Sequence, residues 1–216
     1  MKASELLFGD YSVLEEILKD VELPRMFRVR QNFPDEQIED VYAETRQKLQ
    51  NASVSQKIHP GMRICITASS RGIDRQKEIL KAIVDYVKEL GAVPFVIPAM
   101  GSHGGATAEG QLEILEDYGI TETYLNCEIR SSMETVKLGT VYDGKEMDVR
   151  IDKNAAEADG IIVFNRIKPH SAFRGKYESG LMKMMGIGMG KQEGAESLHR
   201  DGFGTFITRI FLFGNY

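Results

Sequence analysis

Cysteine is scarce in this chain. Its 216 residues include two, Cys65 and Cys127, far apart and with no CxxC spacing. Two buried thiols in a reducing cytoplasm are therefore expected. A basic block is also missing. Lys and Arg number 27 against 32 Asp and Glu, and the formal net charge is −5. Nucleic acid calls for a clustered positive face, so it is excluded as a partner. No apolar run approaches about 18 residues, which argues against a membrane span and a membrane partner. The opening stretch, MKASELLFGDYSVLEEILKD, carries acidic residues inside its apolar run, unlike a signal peptide. Repeats, low-complexity tracts and flexible linkers are absent. The expectation is a soluble cytoplasmic protein, 1–216 forming a single α/β domain long enough to bury a core.

What is present is strand–helix alternation. RMFRVRQ (25–31) reads as a first strand. PDEQIEDVYAETRQKLQ (34–50) reads as a helix with an early proline. MRICITA (62–68) and AVPFVIPA (92–99) are unbroken apolar strands. Between them, 74–91 repeats apolar residues at Ile79, Ile83, Val87 and Leu90, an amphipathic helix stopped by Gly91. A helix is expected over 107–119, capped by Thr107 and ended by Gly119. Asp143-Gly144 divides two alternating runs over 137–152, a hairpin signal. Residues 154–159 read as a short helical turn, and GIIVFNRI (160–167) as a buried strand. Unbroken apolar strands alternating with helices predict a mostly parallel, helix-covered, Rossmann-like sheet, with the hairpin as an antiparallel excursion at one edge. The apolar, aromatic end of the chain, GFGTFITRIFLFGNY, reads as a buried final element or as part of a larger architecture.

Ligands of open α/β sheets sit beyond the carboxyl ends of the strands. Three expected strands run into polar chemistry there: SSRGID with Arg71, MGSHGGAT with His103, and KPHSAFRGK with His170. Parallel neighbours would place all three on one rim. Arg71 could instead pair with Asp74 at the surface, and either histidine could be an ordinary loop residue. Two of only four histidines at equivalent strand ends favour a joint role. Histidine exchanges a proton near neutral pH, and arginine offers a planar fork to a carboxylate, so the set suits a small hydroxy acid. Gly101, Gly104 and Gly105 allow positive φ or a close backbone approach.

In YESGLMKMMGIGMGK (177–191) the glycines miss the dinucleotide fingerprint, and Gly190-Lys191 is followed by Gln192, so a Walker A motif fails too. The methionines at 182, 184, 185 and 189 read as core. Lys183 among them is either a snorkelling surface lysine, which the pattern favours, or a desolvated amine nucleophile. His199 lacks local co-ligands, and His59 precedes a strand instead of following one.

Taken together, SR, GSHGGAT, KPH, SGxxK and a downstream histidine resemble the N-terminal catalytic domain of the nickel-pincer lactate racemase family. The resemblance runs from about residue 10 to about residue 209 and is strongest over 60–120 and 160–199. It implies a two-domain α/β protein with its site in the cleft, of which this chain covers the first domain and lacks the second. The implied cofactor is a nickel-pincer nucleotide, a pyridinium mononucleotide with sulfur-bearing arms and a nickel ion. One arm joins a lysine, which the Ser179-Gly180 context places at Lys183. His199 matches the nickel ligand, and imidazole beside sulfur and carbon donors suits Ni(II). His103 and His170 match the acid/base pair, and Arg71 the substrate arginine. The implied reaction is racemisation or epimerisation of a 2-hydroxy acid by hydride transfer to the pyridinium, with two histidines serving opposite faces.

Two departures stand out. Ala68 or Ser69 occupies the place of a usual acidic residue, and Gly104-Gly105 replaces an arginine–proline pair. Both line the substrate region, so a 2-hydroxy acid other than lactate is expected. Cofactor synthesis needs separate enzymes, so protein from an ordinary host should lack the group. An uncovered cleft face would favour a homo-oligomer. Two other readings remain open: a non-catalytic nucleotide- or organic-acid-binding domain, and a hydrolase or lyase holding a simple divalent metal between His103 and His170.

Overall fold

The two mostly apolar runs form strands β1 (Arg63–Ala68) and β2 (Val93–Pro98), each exposed only at its first residue. They pair in parallel, with Cys65 opposite Phe95 and Ala68 opposite Pro98. The computed structural model describes residues 12–22, 24–34, 36–51, 53–70, 73–171, 174–200 and 202–214. Among these, β3 (Glu128–Ile129) adds to β2 and β6 (Gly160–Ile162) adds to β1. The parallel sheet therefore has the order β3-β2-β1-β6. The α/β class and its mostly parallel sheet stand as expected.

Alternation along the strands divides the core in two. Ile64, Ile66 and Val96 face α3 (Gln76–Glu89), burying its Leu80, Ile83, Val84 and Val87. Leu115 of α4 (Ala108–Asp117) and Leu125 of α5 (Glu122–Leu125) complete that layer. Cys65, Phe95 and Ile97 face the other way, toward Ile151, Met184 and Met189. The methionines thus lie in or against the core, as their spacing suggested. Both cysteines are free and buried. Burial raises both thiols, Cys127 to about 11, so neither is a ready nucleophile.

The expected caps are in place. Thr107 Oγ1 accepts from Gly110 N–H at 3.0 Å, starting α4. Gly91 and Gly119 end their helices at positive φ. The helix expected from 34 is instead α2 (Val41–Asn51). Asp40 Oδ1 accepts from Ala43 N–H at 2.9 Å, and this cap sets the start later than the proline did.

Other expectations need correction. Residues 25–31 pair with no strand among the described residues; alternation supplies a pattern but not a ladder partner. They belong to a unit, Met1–Gln37, that also holds α1 (Ser12–Leu18), and Ile38–Tyr216 forms a second unit. The hairpin, β4 (Thr135–Tyr142) and β5 (Glu146–Asp152), is a separate two-stranded sheet and not an edge of the parallel one. Its inward Met147, Val149 and Ile151 are drawn onto the core beside the sheet. Strand β6 pairs only to Ile162. Beyond it the Thr67 hydroxyl replaces the ladder, accepting from Phe164 N–H at 2.9 Å and donating to Phe164 O at 3.3 Å.

The turn expected over 154–159 is α6 (Lys153–Ala156), capped by Asp152. A broken helix follows: α7 (Leu181–Lys183), a π-helical turn over 184–188, then α8 (Lys191–His199). The chain closes with α9 (Phe203–Gly214), whose Ile210 and Phe213 are buried, as the apolar ending suggested. Phe211 stacks on Tyr177 with ring centroids 5.4 Å apart.

Candidate functional site

Neighbouring parallel strands β2, β1 and β6 deliver their following loops to one rim. After β1, Ser70 Oγ meets His103 Nδ1 at 2.6 Å. Arg71, one residue further, lies outside the described residues. After β2, Gly101, Gly104 and Gly105 all take positive φ, the use expected of them. At Gly104 a Cβ would stand 2.6 Å from the Gly110 carbonyl carbon and 2.7 Å from Gln111 N, both backbone atoms. Gly104→Ala combines that clash with a left-handed backbone. It should cost about 1–3 kcal/mol in chemical unfolding.

The loop after β6 is held by side chains. Asn165 Nδ2 donates to Gly180 O at 3.0 Å, tying the loop to the start of α7. Glu178 accepts from His170 N–H at 2.8 Å and from Gly175 N–H at 3.1 Å. These two bonds hold its carboxyl below the ordinary carboxylate range. The stability this carboxylate lends the loop is complete above its unfolded pKa and is lost as pH falls through the depressed folded value. Glu178→Gln keeps one acceptor oxygen and loses the other. Amide exchange at His170 and Gly175 should quicken several-fold, read by native-state hydrogen exchange.

Lys183 closes α7, and the wider turn after it is defined by Met189 N–H donating to Met184 O at 2.9 Å. Single π-turns inside helices concentrate at functional sites. The turn is pinned to the end of β2, because Gly101 N–H donates to Gly188 O at 3.1 Å. Further along, Gln192, Glu196 and His199 share one face of α8 by helical spacing, and Gln192 Nε2 donates to Glu196 Oε1 at 2.7 Å.

These segments flank an open cavity of about 600 Å³, within the range of small-molecule sites. His103, Ser179, Lys183 and His199 line it together, with Ser70, Asn165 and Lys168 on the wall. Gly180 is buried just behind Ser179. His170 does not line the cavity but is within electrostatic range of Lys183 and His199. Burial lowers the His170 pKa first, and the Lys183 charge lowers it further, while Glu178 opposes both.

The His199 ring has a defined polarity. Nδ1 lies 2.7 Å from the Ala195 carbonyl oxygen, which can only accept. Nδ1 therefore carries the proton, and in the neutral ring the lone pair is on Nε2. A backbone carbonyl holding one ring N–H is the usual support for an imidazole that ligates a metal through the other nitrogen. Among the described residues no three His, Cys, Asp or Glu side chains converge as a metal set. A nickel ion at His199 would need most of its donors from an organic group, and a lysine on the same cavity is where such a group could be joined. The residues present fit a lysine-linked nickel cofactor on both counts.

Sequence reasoning missed Ser70, Asn165 and Glu178. Only Glu178 had a signal, an acidic residue beside the Ser-Gly turn. The other two act through contacts 33 and 15 residues away. Neither curated proteins nor solved structures yielded a match. Residues 12–205 match the family model of the lactate racemase N-terminal domain, and the chain belongs to that family.

Proposed function

We propose that this chain is the catalytic domain of a nickel-dependent 2-hydroxy-acid racemase or epimerase, with the nickel-pincer nucleotide joined at Lys183. One observation carries the reading: His103, Lys183 and His199, from three separate segments, line a single cavity. When bound, the group supplies a reversible hydride acceptor beside a Lewis-acidic nickel. The protein's own residues do the rest. The Lys183 amine provides the covalent anchor, and as an amide-type nitrogen it would no longer bear a charge beside Met184. His199 Nε2 offers its lone pair to the metal. His103, steadied by Ser70, takes and returns the substrate hydroxyl proton from the cavity wall. His170, outside the lining and biased toward its neutral form, is assigned the opposite face and must turn inward to reach it. Lys168 places a cation on the wall for the substrate carboxylate, with Arg71 as its second partner. Ser69 donates to Gln76 Oε1 at 3.1 Å and introduces no negative charge, so the wall does not repel an acid more anionic than lactate.

The test is intact and peptide mass spectrometry with nickel analysis, on protein co-produced with cofactor-making enzymes. A mass adduct on Lys183 with bound nickel is expected, and Lys183→Arg should abolish the adduct. His199→Ala should retain the adduct and lose at least about tenfold in nickel affinity. An unmodified Lys183 without nickel, where another member of the family loads normally, would overturn the reading in favour of a non-catalytic binding domain.

A further inference from the structure

The proposed chemistry leaves several buried ionisable groups unused, and Lys191 is the one in contact with the segments of the site. Lys191 is fully buried, the largest such side chain among the described residues. Its backbone sits at φ 55, a left-handed conformation that side-chain-bearing residues rarely adopt. A buried ammonium is tolerated only with a nearly complete set of acceptors. Here Nζ donates to the Pro98 carbonyl and to Gln111 Oε1 at 3.2 Å. It also stands 3.1 Å from Asp152 Oδ2, an ion pair whose angle falls outside hydrogen-bond geometry.

Each acceptor belongs to a different part of the site. Pro98 ends β2, immediately before the loop with His103. Asp152 ends β5, and its N–H donates to Met189 O at 2.7 Å, just past the π-turn that follows Lys183. Gln111, fully buried on α4, passes the contact onward. Its Nε2 donates to Gly101 O at 2.9 Å and to His103 O at 3.2 Å. The amide has one workable orientation, because a flip would turn its NH2 toward the ammonium and its oxygen toward two carbonyls.

We propose that Lys191 is a positioning residue: its buried ammonium orients the Gln111 amide, which holds the His103 loop in register with the turn that follows Lys183. This rests on the functional reading above only in treating His103 and Lys183 as working groups.

The experiment needs no cofactor. Gln111→Glu keeps an oxygen for Lys191 but sets a second oxygen against the Gly101 and His103 carbonyls. Lys191→Met combined with Asp152→Asn removes the ammonium without stranding a carboxylate. In each folded variant, the His103 ring-nitrogen resonances should move from a single hydrogen-bonded tautomer to the averaged pattern of a mobile imidazole. Exposed His59 should keep its resonances. A purely structural lysine would lower the unfolding midpoint and leave the His103 ring pattern unchanged, and that result in either folded variant overturns the proposal. Should His103 respond as expected while Lys183 takes no adduct, the functional reading fails and the positioning role stands. The reverse pattern sinks the positioning role alone.

Discussion

In cofactor-loaded protein that interconverts the enantiomers of a 2-hydroxy acid, replacing His103 or His170 with asparagine should lower turnover by about 10²–10⁴-fold. The Lys183 adduct and bound nickel should persist, because neither histidine supports the anchor or the metal. Asparagine keeps a polar amide near the imidazole's place but cannot exchange a proton near neutral pH. The check is initial rate from each enantiomer beside peptide mass. A variant with an intact adduct and undiminished rate would remove that histidine from the acid/base pair. The pH dependence carries a second expectation. Burial and the Lys183 charge disfavour the imidazolium of His170, so its base form persists to lower pH than an ordinary histidine's. In cofactor-free protein, Lys183→Met removes that like charge and should raise the His170 midpoint. Proton resonances of the ring, followed against pH in the two forms, give the sign directly. A midpoint that falls would contradict the electrostatic account.

The largest effect on stability is expected at Lys191. Lys191→Met strips the counter-charge from Asp152, whose side chain is also fully buried. An uncompensated buried carboxylate costs about 3–5 kcal/mol when one partner of a buried pair is removed. The cost is read from the midpoint and slope of denaturant unfolding. Burial itself pulls the Lys191 ammonium below its ordinary pKa, and the Asp152 carboxylate opposes that shift. Adding Asp152→Asn should return most of the loss, since the Asn oxygen can still accept from Asn154 N–H, as Asp152 Oδ1 does at 2.7 Å. Recovery of the double variant distinguishes a stranded charge from lost packing, which the second substitution could not repair.

Local patterning went far here. The run at 92–99 reads as a buried strand because every side chain in it is apolar, and the run at 62–68 is broken only by Arg63 near its start and by Thr67. Gly91, Thr107 and Gly119 marked helix ends that the structure keeps, since a cap acts within a few residues of itself. Failures came where a distant partner decides. The alternating run at 25–31 lacked a ladder, Thr67 cut β6 short from 97 residues away, and the hairpin packed against the core instead of extending the sheet.

The same division runs through the site. Strand ends followed by His103 and His170 are a sequence property, because a parallel strand must release its chain at its carboxyl end. Lys183 was different. Its methionine-rich surround favoured a surface lysine, and only the π-turn after it and the cavity beside it brought it onto one wall with His103 and His199. Lys191 drew no notice as the residue that ended a failed Walker pattern, yet it is the most deeply placed cation described. The sequence by itself determined the two central strands and the helix ends at Gly91, Thr107 and Gly119, because these depend on neighbours a few residues apart, and its spaced motifs carried the family. The tertiary structure alone decided which polar groups meet, because Ser70 with His103, Asn165 with Gly180 and Lys191 with Gln111 are pairings across folded space, satisfied only when separate segments pack.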